Sequence, residues 1–400
     1  MSIPLRLREL RIHRLRIPLR LRFEHAAAVR DTADPIIVSI AAAAPHAHVL
    51  GYGETLARPY VTGETPGSVV DDISHVFAPL LADFQVSSFF EVLETLESLP
   101  LQVGGRVVTA ARCAVELALL DLGGRIYHRR PVEAVGWLGL PGFGPPGCLR
   151  SARYSGMVVG RTRGRLQRAL RLQRLAGLRD FKLKIATEGW QDRLRWAYEV
   201  LRGPLARGRA TLRVDANAGW SLADAVTALP LLEKHGVCAV EQPLPETQDA
   251  DLPYLATQSG CDLVVDESLI TPDDAERLIA AGDGVAVFNL RLAKNGGLLP
   301  ALRMARLALS AGRDVQLGCL VGETSILSAA GVAFLEACPK VRFVEGAYGR
   351  WLLRQDVTRR PVRFGCGGRI SRRKGVGLGV DVDPARVEAL AAERPRVLAL

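Results

Sequence analysis

Eight short β-like runs recur between residues 154 and 349, each followed by a helical stretch: YSGMVVG, FKLKIA, ATLRVDANA, CAVEQPL, CDLVVDES, GVAVFNLRLA, DVQLGC and VRFVEGAYG. Strands alternating with helices predict parallel βαβ units, and this number favours a closed barrel over an open sheet. Side chains at the C-terminal ends of barrel strands converge on one rim, where active sites are built. Six of the runs carry a charge there: Lys184, Asp215, Glu241, Asp266, Arg291 and Glu323, at intervals of 31, 26, 25, 25 and 32 residues by subtraction. Each interval is about one βα unit, so the six charges predict a shared site on one face.

The chain before the barrel reads differently. Residues 1 to about 60 hold two arginine–leucine alternating segments, then PIIVSIAAAA and HVLGYGE, all strand-like. VVDDISHVFAPLLADF and RVVTAARCAVELALLDLGGR show apolar spacings of three and four, the second with an expected stop at its Gly-Gly pair. Strands followed by helices suggest a small α+β domain.

Bulk properties narrow the class. A 400-residue chain with 48% hydrophobic and 24% charged residues is a folded, soluble type with room for a large core. The net charge of +10 is carried by arginines along the whole chain and suits an anionic substrate. The densest basic run, residues 161–179, has leucines at 166, 170, 172, 175 and 178, close to helical spacing, and reads as a solvated helix face. No aromatic residue interleaves with it, which argues against a nucleic-acid groove. Seven scattered cysteines without a CxxC pair suggest a reducing compartment. The basic N-terminus alternates at period two and reads as strands, not as a leader, and no apolar run approaches the roughly 20 residues of a membrane span. The expectation is a cytoplasmic protein with neither membrane nor nucleic-acid partner.

Within FKLKIA, Lys182 and Lys184 share one strand face and enter the barrel interior together. Burying ammonium groups is costly without an anion nearby. Asp215, Glu241 and Asp266, at the ends of three consecutive strands, are such anions. Three hard carboxylates without His or Cys fit Mg²⁺, with Mn²⁺ as a substitute, and disfavour zinc. The alternative is that these acids simply pair with neighbouring lysines and arginines.

The series KLK, DAN, EQP and DES, followed by a sixth strand running into Gly296-Gly297, resembles the enolase superfamily and its muconate-lactonizing subgroup. IPLRLRFEHAAAVRD and GYGETLARPYVTGET are similar to the two capping loops of that family, and GVGLGVDVD to its C-terminal return. The resemblance implies an enolase-like modified (β/α)8 (TIM) barrel with an N-terminal α+β capping domain. Residues 1–128 would form the cap, 129–350 a (β/α)7β barrel, and 351–400 a segment returning to the cap. It also implies abstraction of the proton α to the carboxylate of a small acid, metal-stabilised charge, and a homo-oligomer. Lys184 is then the acid/base and Lys182 lies against the substrate carboxylate, lowering its neighbour's pKa. Asn217 would orient the metal shell or Lys184.

One position departs from that pattern. Many subgroup members carry a second lysine five residues before the first glycine of the pair, where this chain has Arg291. Lys294, three residues on, would point to the opposite face of an extended strand. Arginine stays protonated, a poor proton acceptor and a good carboxylate clamp. One-base chemistry is therefore expected, a syn β-elimination (dehydratase) or a cycloisomerisation. The rivals are a racemase or epimerase of dipeptides or N-acyl amino acids, and a non-catalytic barrel that binds anions or nucleic acid. Glu323 is expected to bond to substrate or Arg291, or to form a structural ion pair. EGAYG lacks the Asp-x-Asp of dipeptide epimerases, which disfavours a dipeptide and leaves Glu345 or Tyr348 as specificity candidates. His25, Arg30 and Tyr60 fall in the capping loops.

Overall fold

The computed structural model describes residues 4–25 and 28–400, with no side chains described for residues 21–30; His25 and Arg30 thus lie outside the described side chains. In the first strand, Leu5–Arg14, the leucine and isoleucine side chains are buried while Arg6, Arg8 and Arg11 face out. That alternation places one apolar face on a core. The strand pairs antiparallel with Ile36–Ala42, which pairs with Leu50–Thr55. On its other edge it pairs with the C-terminal strand Arg396–Ala399, so the last residues of the chain complete the first sheet. Ile17–His25 and Ala28–Ala33 form a separate antiparallel pair.

The helix Thr109–Ile126 is buried along nearly its whole length against this sheet. A Cβ on Gly53 would stand 1.9 Å from the Ala114 carbonyl oxygen, so only glycine lets sheet and helix approach this closely. The expected stop at Gly123-Gly124 does not occur; the helix continues to Ile126. A Cβ on Gly124 would lie 2.7 Å from Gly377 Cα, so this glycine is a close-packing position against the returning C-terminal segment.

All eight expected barrel strands form, in one parallel sheet ordered by sequence: Gly156–Met157, Asp180–Lys184, Thr211–Asp215, Ala239–Glu241, Asp262–Val265, Val287–Leu290, Asp314–Leu317 and Phe343–Val344. The parallel bridge Tyr154–Val344 closes the ring. In the basic helix Arg163–Leu175 only part of the expected apolar stripe is used: Leu166 and Leu170 are buried, while Leu172 and Leu175 are exposed.

Buried carboxylates from the cap join it to the barrel. Glu54, at the end of a cap strand, accepts from the Thr324 and Leu327 N–H groups (2.6 and 2.9 Å) and the Thr324 hydroxyl (2.7 Å), satisfying the start of helix Ser325–Ala337. Glu116 does the same for helix Leu298–Ser310, accepting from Leu298 N at 2.5 Å and Leu299 N at 3.0 Å. Free N–H groups and the helix dipole favour a negative charge there. Burial nevertheless pushes Glu54 up to about 7, against its hydrogen bonds from Thr324 and Leu327. A carboxyl whose pKa is raised on folding stabilises fully below its unfolded value and loses that contribution as pH rises through the folded value. Wild-type stability is therefore expected to fall between about pH 4.5 and 7 relative to Glu54→Gln, measured by urea unfolding across that range. Parallel pH profiles for the two proteins would refute the assignment.

Candidate active site

The rim is built by strand register. Lys184 lies beside Asp215 and Asp215 beside Glu241 across adjacent strands, while Asp266 follows the next strand directly. The loops after the third and fourth strands turn through left-handed residues, Asn217 at φ 44° and Gln242 at φ 37°. Such conformations are costly for residues with a Cβ and cluster at functional sites. Gln242 accepts from the N–H groups of Asp266 (2.8 Å) and Ser268 (3.3 Å), fixing the acid that ends the neighbouring strand.

Lys182 is buried and sits 2.7 Å from Glu241 Oε1, 3.1 Å from Asp215 Oδ2 and 3.0 Å from Glu345 Oε1. Burial opposes its charge, but the Asp215, Glu241 and Glu345 carboxylates outweigh that and raise its pKa above the lysine range. The ammonium group expected against a substrate carboxylate lies among these three protein carboxylates. Lys184 keeps 24% of its side chain exposed, with Nζ 3.2 Å from Asp215 Oδ2 and 3.0 Å from Asn217 Oδ1. Of the two lysines it is the one open to a substrate. Asp215 is pulled the other way: burial would raise it, but Lys182, Lys184 and Arg291 hold it well below the carboxylate range.

Glu241 is oriented at both oxygens. Asn289 Nδ2 donates to Oε1 (3.0 Å) and Gln316 Nε2 to Oε2 (2.9 Å). The Arg291 guanidinium contacts Asp266 Oδ2 and reaches within 3.6 Å of Glu241 Oε1. Lys294 is not on the opposite face. The sixth strand ends at Leu290, the chain then turns, and Lys294 Nζ comes back to the Asp266 carbonyl (2.6 Å), Asp266 Oδ1 (2.8 Å) and the Asn289 carbonyl (2.9 Å). Burial first, and then the Arg291 charge, lower its pKa. Lys294 is fully buried, with three acceptors around its ammonium group.

Glu323 lies on the loop between Leu317 and helix Ser325–Ala337, accepting from Leu320 N–H at 2.6 Å. Among the described residues no ion pair joins it to Arg291; burial raises it to about 8 despite the Arg291 and Arg58 charges. Tyr348 donates to the Ser155 carbonyl at 2.8 Å, where the barrel closes, and Tyr60 is exposed on the short helix Pro59–Thr62.

Several participants escaped the sequence reading. Arg213 is wholly buried beneath the rim, donating to Glu345 Oε1 at 2.6 Å and stacking 4.6 Å from the Phe343 ring centroid. Burial would raise Glu345, yet Lys182 and Arg213 hold it at about 2. Glu267 faces Asn217 Nδ2 at 3.4 Å; burial, with Asp215 and Glu241, raises it to about 7. Its place directly after Asp266 in DES was the available signal. For Arg213 it was strand alternation, which puts it on the face of Asp215 two residues on, as it puts Lys182 on the face of Lys184.

Among the described residues, no three His, Cys, Asp or Glu side chains are grouped to hold a metal as they stand. The donor set itself fits a hard divalent ion. Asp215, Glu241 and Asp266 offer only carboxylate oxygens from neighbouring strand ends, and buried Asp266 Oδ2 has no hydrogen-bond partner. Arg291 is the group lying between two of them.

A parallel barrel under an α+β cap, with paired lysines facing three strand-end acids, defines an enolase-type barrel enzyme. Residues 165–386, more than half of the chain, match the enolase C-terminal domain-like family, and the chain belongs to it, as a muconate cycloisomerase-like enzyme of the enolase superfamily. It is 29% identical over 379 residues to an L-Lys-D/L-Arg epimerase of Methylococcus capsulatus, covering 94% of this chain and 99% of that one. Muconate cycloisomerase 1 of Acinetobacter baylyi is 26% identical over 359 residues, covering 86% and 88%. A dipeptide epimerase from Cytophaga hutchinsonii, solved with Mg and the dipeptide D-Ala-L-Val, superimposes with a TM-score of 0.79 at 22% identity, covering 98% of this chain and 99% of that one. Among the described residues, no helix is long and apolar enough to cross a membrane.

Proposed function

We propose that this enzyme removes or delivers the proton α to the carboxylate of a small acid by one-base chemistry, in a cycloisomerisation or a syn elimination. The observation that carries the reading is the difference between the two candidate bases. Lys184 is partly exposed, whereas the position across the site holds Arg291 and the nearby Lys294 is fully buried. A second base for inversion is therefore lacking, although the epimerase relative spans nearly the whole chain.

In this reading Asp215, Glu241 and Asp266 would hold Mg²⁺, which when bound would supply positive charge for the negative charge that develops on the substrate carboxylate. Lys184 moves the proton, oriented by Asn217 Oδ1. Lys182 stays charged and holds Asp215 and Glu241 in place. Arg291 clamps a substrate carboxylate, because it cannot give up its proton at working pH. Glu323, still carrying a proton at neutral pH, donates a hydrogen bond to a substrate oxygen.

Carboxylic acids screened in deuterated buffer with Mg²⁺ test this by mass spectrometry and chiral analysis. The expected result is exchange or product formation with the α-centre never inverted. Inversion with deuterium uptake at the α-carbon would overturn the one-base reading in favour of a racemase or epimerase.

A further inference from the structure

Building on the magnesium reading above, we propose that Arg291 is an internal cation guarding the metal position, and that a divalent ion binds only by displacing its guanidinium. The group contacts Asp266 Oδ2 and lies 3.6 Å from Glu241 Oε1, thereby bridging two of the three acids that offer themselves to the ion. An ion shared by those two acids would occupy the same space, and the like charges would repel strongly at such range.

The neighbouring cations have more oxygen partners than Arg291, which reaches two. Lys182 has three carboxylates within 3.1 Å and Lys294 has three oxygen acceptors within 2.9 Å. Arg291, by contrast, has a buried Nε with no hydrogen-bond partner, and Asp266 Oδ2 likewise lacks one despite the contact. A buried donor without a partner costs free energy, which the guanidinium would recover by turning towards a substrate carboxylate. The Arg291 stem packs directly against Gly318, where a Cβ would come within 2.9 Å of Arg291 Cγ, so the glycine admits the guanidinium to this position. Once displaced, the guanidinium is free for the carboxylate clamp assigned to it above.

The test is Mn²⁺ binding to EDTA-stripped enzyme, followed by electron paramagnetic resonance. Arg291→Met is expected to bind Mn²⁺ at least about tenfold more tightly than wild type, because no guanidinium has to leave. Its metal-free melting temperature should fall below that of wild type, and saturating Mn²⁺ should restore it. Arg291→Lys, a shorter cation, serves if the methionine variant does not fold, and should also bind more tightly. Equal or weaker Mn²⁺ binding in the folded variants would overturn the guard. Absence of Mn²⁺ binding in wild type and folded variants alike would overturn the magnesium reading itself, and the proposal with it.

Discussion

Replacing Lys184 by alanine is expected to lower turnover by about 10²- to 10⁴-fold, the usual contribution of a positioned acid/base group. Its ammonium group makes one ion pair, to Asp215, and one hydrogen bond, to Asn217, and remains partly solvated. Asp215 keeps Lys182 as its partner after the substitution, so the fold should survive with little change in melting temperature. The expected pattern is thus loss of kcat with thermal stability retained. Deuterium exchange persisting unchanged in the variant would remove Lys184 from the role of base.

Lys182→Met is expected to do the reverse, destabilising the whole protein. Its Nζ lies within 3.1 Å of Asp215, Glu241 and Glu345, all buried. Removing one partner of a buried ion-pair network leaves uncompensated charge and costs about 3–5 kcal/mol. The pH window follows from the shifts. Lys182 is raised, so its contribution is lost only as pH climbs through the top of the lysine range. Glu345 is lowered to about 2, so its contribution is present above its unfolded pKa of 4.5 and fades as pH falls towards 2. The gap in unfolding free energy between wild type and variant should therefore be widest from about pH 5 to 10 and narrow in acid, measured by denaturant titration. A variant as stable as wild type at pH 7 would show that the cluster does not depend on this lysine.

The two experiments separate chemistry from scaffolding along one strand. Lys182 and Lys184 are two residues apart and share a face, yet the first is walled in by carboxylates and the second is open. Alternation predicts the shared face, because side-chain direction in a strand is a local property. It cannot predict exposure, which depends on the strands opposite.

The same distinction explains the misreadings. An unbroken sixth strand would put Lys294 on the opposite face; the strand stops at Leu290, and a short turn brings the side chain back to Asp266. Gly123-Gly124 looked like a helix stop because glycine often ends helices. At Gly124 the missing Cβ makes room for Gly377, more than 250 residues later in the chain. Arg213 was overlooked because its counter-charge, Glu345, arrives from the eighth strand.

The sequence by itself determined the barrel, its cap and the charges that end the second to fifth barrel strands, because side-chain alternation, helical spacing and the βα interval are properties of neighbouring residues. Tertiary structure alone decided which cation meets which acid: that Lys182 is fully committed, that Arg291 lies between Glu241 and Asp266, and that Glu54 ties the cap to the barrel. Those pairings join strands and helices far apart in the chain, and their strength depends on burial that only the packed interior creates.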